Sequence, residues 1–263
     1  MNLIVSGASF LLLALPFAAA AQEAKPKPED TEQWSPAVPV VTPGNFESAT
    51  PPSDATVLFD GTSLDRWASV EDGSPAAWTV ADGILTVKKD AGNIQTRQSF
   101  GNYQLHLEYR IPADITGEGQ ARGNSGLFLA STGKGDAGYE LQIMDSYHND
   151  TYVNGQAGSI YKQHPPLANP VRKPGEWQSI DVVWTKPTFN GDGSVKTPAY
   201  VTAYINGVLV QDHAALHGET VYVGKPSYKA YDRAPIKLQA HGDPSPPISF
   251  RNIWVRELPD HAG

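Results

Sequence analysis

The chain predicts an all-β fold, a two-sheet antiparallel jelly-roll sandwich. Three observations carry this. Short apolar or alternating runs recur between Gly, Pro, Asn and Asp punctuation, which is the spacing of many antiparallel strands. Two tight hairpin signals interrupt them, Asn206-Gly207 and Ala81-Asp82-Gly83. No long amphipathic helix and no repeat of 20 to 50 residues is visible, which favours a jelly roll over a propeller.

The elements follow in order. Phe10 to Phe17 is a short apolar run, and Ala18 to Ala21 supplies small residues before Gln22. This predicts an export signal over residues 1–21 that is cleaved after Ala21, although no Lys or Arg precedes the apolar run. The run is too short to span a membrane, so a retained anchor is the second reading. Gln22 to Pro52 is rich in Pro, Glu, Lys, Ala and Thr, and residues 22–53 are expected to be a flexible linker. One domain is expected over 54–258. Its predicted strands are Thr56 to Phe59, Trp78 to Val80, Ile84 to Val87, Tyr103 to Arg110, Ser125 to Ala130, Tyr139 to Met144, Ser179 to Thr185, Tyr200 to Ile205, Val208 to Asp212, Ile236 to Ala240 and Ile248 to Arg256.

Composition narrows the function. The 263 residues carry 20 Lys+Arg against 28 Asp+Glu, a formal charge of -8 with no basic stripe, so nucleic acid is not an expected partner. Six Trp and eleven Tyr suit a protein that offers aromatic surface to a neutral ring such as a sugar, or simply fill a core. With no Cys there is neither a disulfide framework nor a lipid-attachment thiol. A periplasmic or secreted protein without a membrane span in its mature form is the expectation.

Chemistry concentrates in Tyr139-Glu-Leu-Gln-Ile-Met-Asp145. Carboxylates are depleted in strands and costly to bury, so a strand with two of them faces either solvent or a wet cleft. Alternation puts Glu140, Gln142 and Met144 on one face and Leu141, Ile143 and Asp145 on the other, unless a bulge turns Asp145 back. Asn124, in Gly123-Asn-Ser-Gly126, serves a tight turn or a ligand. Tyr161, Lys162 and His164 lie in a loop that either lips a pocket or packs locally. His148, Asn149 and Asp150 fit a polar turn as well as a cation site, and no spacing in the chain forms a strong metal motif.

The order of Leu58-Phe-Asp-Gly61, Gly123-Asn-Ser-Gly126, Tyr139 to Asp145, Gly158-Ser-Ile-Tyr161, Pro174-Gly-Glu-Trp177, Asn206-Gly207, Leu238-Gln-Ala-His-Gly242 and Phe250-Arg-Asn-Ile253 resembles the 3-keto-disaccharide hydrolase domain family. The resemblance spans Asp54 to about Leu258. It implies a concanavalin A-like jelly roll acting on glycosides whose glucose has been oxidised to a 3-ketone. One departure stands out. The family segment resembles Leu-Gln-Asp-His-Gly-Asn-Pro-Val, whereas this chain has Leu238-Gln-Ala-His-Gly-Asp-Pro244 and then Ser245-Pro246. Ala240 removes a carboxylate beside His241, and Asp243 is the candidate substitute.

A 3-ketone acidifies the C2 proton, so a general base can remove it and expel the aglycone from C1, after which water adds back. The developing enolate needs donors or a cation. Glu140 is the expected base or metal ligand and His241 the acid/base or ligand, with Asp145 as a further catalytic candidate. Gln142, Gln239 and Arg251 are expected substrate contacts, joined by Tyr161, Lys162, His164 and Asn124. Arg251 has a second reading, an ion pair with a carboxylate such as Glu140. A divalent ion is the one cofactor this chemistry leaves open; no nucleotide or organic cofactor is expected. The alternatives are a non-catalytic carbohydrate-binding module and, third, an ordinary glycosidase. A retaining glycosidase would place two carboxylates about 5 Å apart, and here Gln142 interrupts the Glu140, Asp145 pair.

Overall fold

The computed structural model describes residues 25–40 and 50–260, so the expected signal segment lies outside the described residues. Helix among them is confined to four short 3-10 turns, and none is long and apolar enough to cross a membrane. The strands are β1 (Thr56–Phe59), β2 (Trp67–Ser69), β3 (Thr79–Ala81), β4 (Ile84–Thr86), β5 (Ile94–Thr96), β6 (Tyr103–Arg110), β7 (Ser125–Ser131), β8 (Gly138–Ile143), β9 (Trp177–Thr185), β10 (Thr188–Phe189), β11 (Val195–Thr197), β12 (Tyr200–Ile205), β13 (Val208–Ala215), β14 (Lys237–Leu238) and β15 (Ser249–Glu257).

An eight-stranded sheet runs β13-β12-β9-β6-β15-β4-β3, with β1 also paired to β15. A five-stranded sheet runs β2-β5-β14-β7-β8, and β10 and β11 form a ribbon. The two hairpins form where the sequence predicts them, with Asp82, Gly83, Asn206 and Gly207 all at positive φ, as a two-residue turn with the strands' twist requires. The three-residue β2 and β5 escape prediction because they are too short to show alternation. The predicted strand Ile236 to Ala240 shrinks to Lys237–Leu238, followed by one further bond from Gln239 N–H to the Gly126 carbonyl at 3.0 Å.

Alternation builds the core. Tyr103, Leu105, Leu107 and Tyr109 of β6 join Ile180, Val182 and Trp184 of β9 and Val201, Ala203 and Ile205 of β12 in the cluster from one sheet. Leu127 and Leu129 of β7 and Tyr139, Leu141 and Ile143 of β8 meet them from the other. Tyr103 donates its hydroxyl to the Leu129 carbonyl at 2.6 Å, which ties the sheets together. Every residue of β7 and β8 is buried, so the second face of this sheet is also covered, and it forms the floor of a cavity.

On the eight-stranded sheet, His106 lies 2.7 Å from Asp181 and 3.7 Å from Glu108. Burial opposes its charge, but the bonds to both carboxylates outweigh it and push its pKa up to about 9.

Part of the stretch expected to be a linker lies against the domain. Val153 N–H donates to the Gln33 carbonyl at 2.6 Å, Asn154 binds the Thr31 carbonyl and Gln33 N–H, and Trp34 meets the Tyr152 ring edge-on. Residues 25–40 thus reach the cavity, where Glu32 forms part of the wall.

Candidate functional site

The cavity has a volume of about 820 Å³. Period 2 places Glu140 and Gln142 of β8 on its floor. Glu140 is 6% exposed and pairs across the ladder with Phe128, as Gln142 does with Gly126. The outer edge of β8 is held by loops: Glu140 N–H donates to Thr220 Oγ1 at 3.0 Å, and the Glu140 carbonyl accepts from Tyr161 N–H at 3.2 Å. These bonds fix the carboxylate's origin in space. The Gln142 amide, with its nitrogen turned toward Glu140, donates to Glu140 Oε1 at 3.2 Å and to the Ser125 carbonyl at 3.0 Å. In the reverse orientation it reaches Gln120 Oε1 and Asn124 Oδ1.

Gly126 is required by this packing, because a Cβ there would collide with Glu140 Oε1 and stand 2.9 Å from Phe128. Gly126→Ala is expected to displace the carboxylate at a cost of about 1–3 kcal/mol of stability. Denaturant unfolding of the variant beside the wild type measures the cost.

Beneath Phe128 lies a residue that the sequence reading passed over. Lys237 is fully buried, its Nζ 4.6 Å from the Phe128 ring centroid, and it donates to the carbonyls of Gly133, Gly135 and Ala137 at 3.3, 2.9 and 2.7 Å. Burial disfavours its charge and lowers its pKa to about 8, against the pull of Asp136 and Glu140. Three carbonyl acceptors match the three donors of an ammonium, so Lys237 is cationic at neutral pH. The loop it pins carries Asp136, another wall residue. Burial, with Asp136 adding to it and Lys237 opposing, pushes the Glu140 pKa up to about 8.

A raised carboxyl pKa has a defined stability consequence. The unfolded value is about 4.3, so Glu140 contributes stability fully below that pH, and this is lost as pH rises toward about 8. Melting temperatures measured across that window should fall less in Glu140→Gln than in the wild type.

Gln239 and His241 continue from β14 into the same cavity, while Ala240 packs against the core and its N–H bonds Asn93 Oδ1 at 2.8 Å. Gln239 Oε1 is buried with no hydrogen-bond partner among the described residues. Asp243, the candidate substitute for the carboxylate missing at position 240, has Oδ2 2.8 Å from His241 Nδ1. Burial opposes the charge of Asp243, but bonds from His241, Ser245 and Lys89 outweigh it and hold the carboxyl well below the usual carboxylate range. With Nδ1–H donated to Asp243, Nε2 is the His241 nitrogen left to exchange a proton with a ligand.

Asn124 and Tyr161 also line the cavity. Asn124 donates to the Gln120 carbonyl, and the Tyr161 hydroxyl lies 2.6 Å from that of Tyr152. Lys162 sits behind the wall, its Nζ bonded to the carbonyls of Pro28 and Tyr222. His164 bonds the Ala215 carbonyl through Nε2 and is not among the lining residues. Asp145 is not either. No bulge returns it to Glu140's face; it is 2% exposed and pairs with Arg122 at 2.6 Å, anchoring the loop that carries Gln120 and Asn124. Arg251 lies on β15 in the other sheet, where it pairs with Glu108 at 2.6 Å, not with Glu140, and stacks 4.1 Å over Trp177. Glu32, Gln120, Asp136, Tyr152, Thr220 and Tyr222 complete the wall without having been singled out in the sequence. All lie outside the strands, where periodicity gives no guide.

No group of three or more His, Cys, Asp or Glu side chains among the described residues is arranged to hold a metal ion.

A jelly-roll sandwich with a carboxylate, an imidazole and an aromatic wall in one cavity is of the carbohydrate-active, hydrolase-like class. The chain belongs to the 3-keto-α-glucoside-1,2-lyase-like domain family, whose model matches residues 54–256. A proposed glycosyl hydrolase of Parabacteroides distasonis is 49% identical over 94% of this chain and 100% of its own, with a TM-score of 0.75. Two further proposed glycosyl hydrolases of that organism, 20% and 22% identical, share the fold. Their TM-scores are 0.56 and 0.54, over 81% and 78% of this chain and 100% and 99% of theirs. No similar protein was found among the curated ones.

Proposed function

We propose that this protein cleaves the glycosidic bond of 3-keto-glycosides by abstracting the C2 proton and eliminating the aglycone. The observation that carries the reading is Glu140, a buried carboxyl on the cavity floor with a pKa of about 8, in one cavity with the His241, Asp243 pair. Family membership supports the substrate class. Glu140 takes the C2 proton as the C2–H electrons form an enolate with the C3 oxygen. The enolate then collapses, the C1–O bond breaks, and the aglycone oxygen takes a proton from His241, leaving an unsaturated 3-keto sugar. Water added at C1 completes hydrolysis. The Tyr161 hydroxyl, paired with that of Tyr152, is the donor for the enolate oxygen. Asp243 holds the imidazole and stabilises its cation.

Because the base acts in its ionised form, kcat/KM is expected to rise with pH up to about 8. The export signal expected over residues 1–21 implies a periplasmic or secreted protein, which suits a soluble glycoside substrate.

The test is release of aglycone from 3-keto-trehalose and a 3-keto-β-glucoside by purified residues 22–263, with and without EDTA, beside the unoxidised sugars. Release from the keto sugars alone supports elimination. Cleavage of the parent sugars would indicate an ordinary glycosidase, and saturable binding without turnover a carbohydrate-binding domain.

A further inference from the structure

Tyr222 is 64% exposed at the cavity rim, and nothing in the reaction above uses it. Next to it stands a segment that lies outside the matched domain. Lys162 joins the two. Its Nζ donates to the Tyr222 carbonyl at 3.1 Å and to the Pro28 carbonyl at 2.8 Å, stands 4.6 Å from the Tyr222 ring centroid, and lies 3.9 Å from Glu32 Oε1. The same ammonium lies 5.4 Å from the Tyr152 ring and 5.8 Å from the Tyr161 ring. One buried cation thus fixes three tyrosines and the chain before the domain around a single edge of the cavity.

We infer that Tyr222 and Glu32 form an outer subsite for the leaving-group ring of a disaccharide, with the segment around Glu32 acting as a specificity-determining element. This rests on the proposed function. An aromatic face exposed at a rim packs against the C–H face of a pyranose, and a carboxylate beside it accepts bonds from ring hydroxyls. A leaving group without a second ring reaches neither. The subsite therefore governs the affinity for the aglycone and leaves the chemistry at C2 alone.

The test compares 3-keto-trehalose with methyl 3-keto-α-glucoside on the full mature chain and on Tyr222→Ala, Glu32→Gln and, as a control on the other sheet, Tyr204→Ala. The expected result is a KM for 3-keto-trehalose about tenfold higher in the first two variants, with kcat/KM for the methyl glycoside within about threefold of wild type and the control unchanged. An equal loss on both substrates, or no change on either, would overturn the subsite. If the wild type turns over neither sugar, the proposed reaction fails; calorimetric binding of 3-keto-trehalose, weakened in Tyr222→Ala and Glu32→Gln alone, would still uphold the subsite, and unchanged binding would overturn it.

Discussion

Glu140→Gln is expected to lower kcat on 3-keto-glycosides by about a thousandfold, within the usual range for removing a general base, while substrate still binds. The amide keeps the shape of the carboxyl and its place beside the Gln142 amide. What it loses is the capacity to take a proton. Removing a buried ionisable group should leave the fold intact, and stability at pH 8 should equal or exceed that of the wild type, because the cost of charging Glu140 disappears. Single-turnover kinetics with calorimetric binding separates the two effects; loss of binding together with turnover would show that Glu140 holds substrate and does not act on it.

Lys237→Met is expected to be the most destabilising single change in the site. It takes a charged donor from three loop carbonyls, of which Gly135 keeps Asn93 Nδ2 and Ala137 keeps Thr132 N–H, and removes a cation from beneath the Phe128 ring. Losing charge-assisted bonds from a buried group costs about 3 kcal/mol, which corresponds to a fall in Tm of roughly 6–12 °C for a chain of this size. Activity should fall too, by two routes. The loop carrying Asp136 loses its anchor, and Glu140 loses the positive charge that holds its pKa down. The pH-rate profile of the variant should therefore shift to higher pH, a change that plain destabilisation would not produce. A circular-dichroism melt and a pH-rate series on the same preparation check both parts.

The strands and hairpins were legible because alternation and positive-φ dipeptides are local signals. Tyr103–Arg110 and Tyr200–Ile205 follow the expected bounds, and Asp82-Gly83 and Asn206-Gly207 turn where their backbone preferences require. Glu140 and Gln142 were legible for the same reason, as polar residues on one face of an apolar strand. Lys237 could have been read that way. It stands in Ile236-Lys-Leu238 on the face of Gln239 and His241, but its three acceptors come from a loop some 100 residues away. Asp145 shows the limit of spacing. Its i+5 relation to Glu140 suggests a bulged pair, whereas the strand ends at Ile143 and Arg122 takes the carboxylate. Arg251 and Glu140 sit in different sheets, and no one-dimensional pattern assigns a strand to its sheet. The part played by residues 25–40 was hidden for another reason, since Pro-rich composition describes what a segment cannot bury by itself and not what a neighbouring wall offers it.

Proton abstraction at C2 is the centre of the account, and isotopic substitution at that carbon reaches it directly. Turnover of 3-keto-trehalose carrying deuterium at C2 should be slower than that of the protiated sugar, and unreacted substrate or product formed in D2O should take up deuterium at C2 only with Glu140 in place. Equal rates for the two sugars, with no exchange at C2 under single-turnover conditions, would contradict the account and return the cavity to glycoside cleavage at C1 or to binding alone.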